Sequence, residues 1–114
     1  MPFTLTVRGH FDAAHFLRNY PGKCQHLHGH RFEYEVKVYG SKLDELGMLV
    51  DFTHIKKIIE DKYDHKLLNE IEPFDQINPT AENLALTIFQ DLTDIGVVSV
   101  EIWEGPNASA KYSL

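Results

Sequence analysis

His28-Gly29-His30, with Cys24 four residues before it and an alternating stretch directly after it, restricts this 114-residue chain more than any other feature. From Arg31 to Tyr39, Phe32, Tyr34, Val36 and Val38 share one parity, while Glu33, Glu35 and Lys37 share the other. That is the pattern of a strand with one buried face. If His28 to His30 is extended as well, the same period of two puts both imidazoles on one face, where one metal ion can take both. Gly29 carries no Cβ, so the backbone there can approach a bulky ligand. A lone histidine is usually a surface or satisfied polar residue, so the reading needs a third ligand, and the chain offers His15.

The rest of the chain shows where His15 falls. Phe3, Leu5 and Val7 alternate with Thr4, Thr6 and Arg8 as a first strand running on towards His15. Leu17 to Lys23 is a turn or surface loop punctuated by Pro21-Gly22 and leading into Cys24. If the strand after His30 pairs antiparallel with the first, His15 lies near His28 and His30. Gly40 to Gly47 is polar and ends the pair. A helix follows with Ile55, Ile58, Ile59 and Tyr63 on one side and Lys56, Lys57, Glu60 and Asp61 on the other, capped by Asp51 or Thr53. Asp64-His65 stands at its end, and Asn69 to Asn78 connects onward past Pro73. Thr80 is the expected N-cap of a second helix, whose Ala81, Leu84, Ala85, Ile88, Phe89 and Leu92 form a full apolar stripe; Leu86, off it, hints at a second buried face. After Gly96, Val98, Val100 and Ile102 alternate with Ser99, Glu101 and Trp103 as a third strand, and past Asn107 a fourth carries Ala108, Ala110, Tyr112 and Leu114.

The order ββααββ predicts an α+β domain over residues 1–114, a four-stranded antiparallel sheet covered on one face by two helices. Large residues at both strand parities (Tyr39, Val97, Trp103), together with open sheet edges, favour pairing with further copies of the chain. With a net charge of -6, a broad nucleic-acid-binding face is not expected. No tract is apolar enough to cross a bilayer, and the start, Met1-Pro2-Phe3-Thr4, has no basic region followed by an apolar run. A single cysteine cannot form an internal disulfide, which fits a reducing, cytoplasmic setting and leaves Cys24 available for chemistry.

Three constellations carry chemistry. His15, His28 and His30 supply three nitrogen ligands, the donor count of a catalytic zinc; if Cys24 joined them as a fourth, the zinc would be structural. As a free thiol near a metal or a histidinium, Cys24 is instead a base or nucleophile. Asp64-His65 is either a proton carrier with an acidic neighbour or an ordinary helix-end pair. Glu104, in Trp103-Glu104-Gly105-Pro106-Asn107, either faces water or accepts two parallel hydrogen bonds from an amidine-like heterocycle edge.

Together, Phe11-x-Ala13-Ala14-His15, Cys24-x3-His28-Gly29-His30, Gly47-x-x-Val50-Asp51-Phe52, Asp64-His65-x-x-Leu68-Asn69, Pro79-Thr80-x-Glu82-Asn83 and the late Glu104 resemble, in order, the 6-pyruvoyl-tetrahydropterin synthase and 6-carboxytetrahydropterin synthase family over nearly the whole chain. The resemblance implies a tunnelling fold (T-fold) whose subunits join sheets into barrels, usually as homohexamers made of two trimers, with active sites at subunit interfaces. It implies Zn2+ on His15, His28 and His30, Cys24 as the proton-abstracting residue, Asp64 and His65 as its relay, and Glu104 as the pterin anchor helped by Thr80. The implied substrate is 7,8-dihydroneopterin triphosphate. The compact length favours the 6-carboxy activity, which releases triphosphate and acetaldehyde in queuosine-type biosynthesis, over the pyruvoyl activity of tetrahydrobiopterin synthesis. The rival of another class is a non-catalytic pterin-binding or zinc-stabilised assembly protein. Asp12 stands where Ser is frequent in this family and Gly105 where Thr is frequent, and Ala81 lacks a hydroxyl found in some relatives. Cys24 argues against the branch that carries glutamate there. Arg18, Lys23 and Arg31 are candidates for the triphosphate only through their closeness to the motif.

Overall fold

In the computed structural model, which describes residues 2–114 and so leaves Met1 of the start outside, two long strands form the backbone of the molecule. β1 (Phe3–His15) and β2 (His28–Gly40) pair antiparallel over their full length, from Phe3 opposite Gly40 to His15 opposite His28. The turn between them contains a 3-10 segment, Lys23–Gln25. α1 (Phe52–Tyr63) follows and then a two-residue strand, β3 (Lys66–Leu67). After α2 (Ala81–Asp91) come β4 (Val97–Gly105) and β5 (Ala108–Ser113).

The sheet runs β3-β1-β2-β4-β5. It therefore has five strands where the sequence predicts four, and β3 lies parallel to β1 at Ala13 and Ala14. Two residues carry no periodicity, so this bridge has no sequence signal. A register shift between Lys37 and Val38 places Val97 opposite Val38 and turns it inward.

Both helices cover one face, α1 against β1 and α2 against β4 and β5. Asp51 accepts from Thr53 N–H to cap α1, and Thr80 accepts from Asn83 N–H to cap α2. Ile55, Ile59 and Tyr63 of α1 and Leu84, Ala85, Ile88 and Phe89 of α2 meet Val7, Phe11, Phe32, Tyr34, Val36, Val100 and Ile102 of the sheet. At the centre, the rings of Phe11 and Phe32 stack at 5.2 Å, with Tyr63 at 5.5 Å from Phe11. Among the described residues no helix is long and apolar enough to cross a membrane.

Candidate metal centre and adjoining clefts

The register explains why the imidazoles meet. Cross-strand partners project to the same face, so His15 and His28 stand side by side, with His30 two residues along and opposite Ala13. Ring centroids are 4.6 Å apart for His15 and His28, 5.0 Å for His15 and His30, and 4.7 Å for His28 and His30. One ligand nitrogen from each falls within 4.8 Å of the other two. The fully buried Phe32 backs the group, its ring edge-on to His15 at 5.3 Å.

The hydrogen bonds determine which nitrogen is available. His15 Nδ1 donates to the Pro79 carbonyl at 2.8 Å, and His28 Nδ1 donates to the His26 carbonyl at 2.7 Å. A carbonyl only accepts, so each ring carries a proton on Nδ1, which leaves Nε2 as the nitrogen that can face a metal. Both Nε2 atoms are buried and accept no hydrogen bond. Burial, with lesser repulsion from His28 and His30, holds the His15 imidazole down at about 4 against the opposing bond to Pro79. Burial also lowers His30, with the Glu104 carboxylate pulling the other way. Three imidazole nitrogens gathered within 4.8 Å of one another, two of them buried without a hydrogen-bond partner, are a donor set that fits a zinc ion.

Cys24 lies half-buried on the 3-10 turn, its carbonyl accepting from Leu17 N–H at 2.7 Å. Its sulfur is not among the gathered ligand atoms. The donor set is three imidazoles, as a catalytic rather than a structural zinc has.

Asp64 and His65 occupy a different place. Asp64 ends α1, its Oδ1 accepting from Asp12 N–H at 2.8 Å, and its Oδ2 lies 3.5 Å from His65 Nε2. His65 adopts φ 58°, a left-handed conformation uncommon outside glycine, held as its N–H donates to the Asp12 carbonyl at 2.6 Å. Its largely exposed ring borders an open cleft of about 550 Å³ lined also by Asp12, Ala14, Gly29, Lys66 and the triad's own His30. Asp12, Ala14 and Gly29 belong to the strand parity turned away from the helices. A Cβ on Gly29 would approach only the Ala13 carbonyl, at 3.8 Å, so nothing among the described residues crowds that position. Cys24 does not line this cleft.

Glu104 sits at the register shift between Trp103 and Gly105 in β4, close enough to the triad for its carboxylate to act on His30. With Thr80 it borders a cleft of about 340 Å³ that also includes Leu17, Ala81, Glu82 and Ala108. The Thr80 oxygen is engaged by Asn83 N–H at 3.1 Å, which leaves its hydroxyl proton free to donate. Two of the candidate cations are occupied. Arg18 donates to the carbonyls of Phe74 at 3.0 Å and Ile77 at 3.3 Å, and Arg31 makes a two-pronged pair with Asp12 at 2.9 and 3.3 Å. The carbonyls of Pro79 and His26, which orient the ligand rings, escape sequence reasoning because any residue type carries one.

Known proteins resemble this chain over most of its length. The chain is 40% identical over 95 residues to a 6-carboxy-5,6,7,8-tetrahydropterin synthase of Bacillus subtilis, an alignment spanning 79% of this chain and 65% of that protein. A protein of the same name from Rickettsia conorii is 34% identical over 129 residues, covering 90% of this chain and 94% of its own length. The solved 6-pyruvoyl tetrahydropterin synthase of Caenorhabditis elegans superposes with a TM-score of 0.82 at 28% identity, across 99% of this chain and 96% of that one. The family described as 6-pyruvoyl tetrahydropterin synthase matches residues 4–114, a span that takes in all three imidazoles and both clefts, and the chain belongs to that family.

Proposed function

We propose that the protein is a zinc-dependent lyase that converts 7,8-dihydroneopterin triphosphate and water to 6-carboxy-5,6,7,8-tetrahydropterin, triphosphate and acetaldehyde, in a queuosine-type pathway of the cytoplasm. The observation that carries this is the set of three gathered imidazoles, two with buried Nε2 atoms that have no hydrogen-bond partner, with the Glu104 carboxylate close enough to act on His30. When bound there, zinc supplies Lewis acidity to the substrate side chain, acidifying the neighbouring C–H. Glu104 accepts two parallel hydrogen bonds from the amidine edge of the pterin, and Thr80 donates its hydroxyl beside it. Cys24, as thiolate, takes the proton from the side-chain carbon, and His65, oriented by Asp64, carries protons to and from it.

In this reading the protein is a homo-oligomer of hexameric form in which His65 of one copy serves Cys24 of another, since the cleft at His65 is lined without Cys24. The carboxylated product is supported by the names of the Bacillus subtilis and Rickettsia conorii relatives. A pyruvoyl product is the second reading, supported by the likeness to the Caenorhabditis elegans enzyme. The test is mass analysis after incubating the zinc-loaded protein with 7,8-dihydroneopterin triphosphate. A carboxylated pterin with acetaldehyde is expected. A pyruvoyl product would replace it with the second reading, and unchanged substrate would overturn both in favour of a pterin-binding or zinc-stabilised assembly protein.

A further inference from the structure

Phe16, Leu17 and Arg18, which continue the chain past His15, are held from both sides. On one side two asparagine side chains act as pieces of neighbouring strand. Phe16 N–H donates to Asn69 Oδ1 at 2.9 Å, and Asn69 Nδ2 donates back to the Phe16 carbonyl at 3.0 Å. Two residues on, Arg18 N–H donates to Asn78 Oδ1 at 2.8 Å, and Asn78 Nδ2 donates to the Arg18 carbonyl at 3.1 Å. A carboxamide offers both an acceptor and donors, so each asparagine satisfies both backbone groups of one residue, as a paired strand would. On the other side, Leu17 N–H reaches the Cys24 carbonyl at 2.7 Å. The alternation follows the period of an extended chain.

Asn78 is itself fixed. Its carbonyl accepts from Asn83 Nδ2 at 2.8 Å and from Thr80 N–H at 2.9 Å. The next carbonyl along, that of Pro79, is the one that takes His15 Nδ1 at 2.8 Å. The thiol turn, the His15 ring and the start of α2 therefore share one frame.

We propose that Asn69 and Asn78 are positioning residues for the zinc triad and for Cys24, acting by clamping Phe16–Arg18 between the thiol turn and the segment that orients His15. The inference rests on the reading of the triad as a zinc site and of Cys24 as the reacting thiol. Neither asparagine supplies a ligand atom to the triad; each acts through backbone. Loss of the Asn78 side chain leaves its backbone held only by Asn83 and Thr80 and no longer tied to Arg18, which loosens the Pro79 carbonyl against His15 Nδ1, and partners of that kind are worth about ten- to a hundred-fold in metal affinity. The same release loosens Leu17 against Cys24. The role accounts for Asn69, Pro79 and Asn83, motif residues to which the chemistry assigns no task.

The test is Asn78→Ala in the full chain, with zinc affinity measured against a competing chromophoric chelator and Cys24 reactivity measured with iodoacetamide, both without pterin. Zinc affinity is expected to fall about ten- to a hundred-fold, and the alkylation rate to change several-fold. Ile59→Val, in the buried face of α1, makes none of these hydrogen bonds and serves as a control that lowers the melting temperature while leaving both readouts unchanged. Wild-type zinc affinity and alkylation rate in Asn78→Ala overturn the proposal. If that variant does not fold, Asn78→Asp, which keeps the acceptor for Arg18 N–H and loses the donor to its carbonyl, and Asn83→Ala are read in the same way. A fall in zinc affinity in each supports the clamp, and none overturns it. A wild-type chain that takes up no zinc defeats the reading of the site instead, and the alkylation rates alone then decide whether the clamp places Cys24.

Discussion

A buried imidazole nitrogen that accepts no hydrogen bond is costly, and His15 and His28 each carry one. The cost has a pH signature in the metal-free protein. His15 has its folded value at about 4, below its ordinary 6.5. Between those values the unfolded chain binds a proton that the folded chain refuses, so stability is complete above pH 6.5 and drains away as pH falls towards 4. At about 1.4 kcal/mol per pH unit, His15 alone is worth about 3 kcal/mol over that window. Melting curves of the metal-free protein should show this slope, reduced in His15→Gln. Cys24→Ala separates two roles of the thiol: turnover is expected to fall at least about a hundred-fold with zinc content unchanged by metal analysis, whereas loss of zinc would make Cys24 a ligand after all. The triad was legible in the sequence because its members obey the strand period. The carbonyls that orient it were not, since a backbone acceptor has no residue identity.

At the scale of elements, apolar periodicity located both helices, and the caps at Asp51 and Thr80 stand where their residue types predict. The Lys37 and Val38 irregularity and the strand at Lys66–Leu67 were invisible, because a bulge or a two-residue bridge arises from backbone fit. Gly9 is a second case. It faces the ring of Tyr34, whose hydroxyl donates to Glu60 at 2.6 Å, and a Cβ there would lie 2.6 Å from Tyr34 Cζ. Gly9→Ala is therefore expected to displace Tyr34 and cost about 1–3 kcal/mol, read by urea denaturation. An unchanged midpoint would mean that Tyr34 moves without penalty.

For the molecule as a whole, the sheet is closed on the helical side and open at its edges. β1 has an outer neighbour only at Ala13 and Ala14, and β5 forms the opposite edge. Phe3, Leu43, Met48 and Phe52, each more than a third exposed, gather around an apolar hollow near the start of β1. Open edges and exposed apolar surface favour association, so light scattering is expected to give a particle several times the mass of one 114-residue chain. A monomer at micromolar concentration would refute the proposal that His65 and Cys24 meet between copies.

The sequence by itself determined which residues could be ligands, which parity of β1 and β2 goes inward and where both helices begin, because these follow from side-chain identity and local period; the inward parity at the start of β4 did not follow, since Val97 and Ser99 are buried there. Only the tertiary structure decided that Glu104 shares a cleft with Thr80, that His65 borders another, and that asparagine side chains clamp the chain beyond His15. Those relations depend on strand register and on backbone groups contributed by segments about sixty residues apart, as with Arg18 and Asn78, and no local pattern records such pairings.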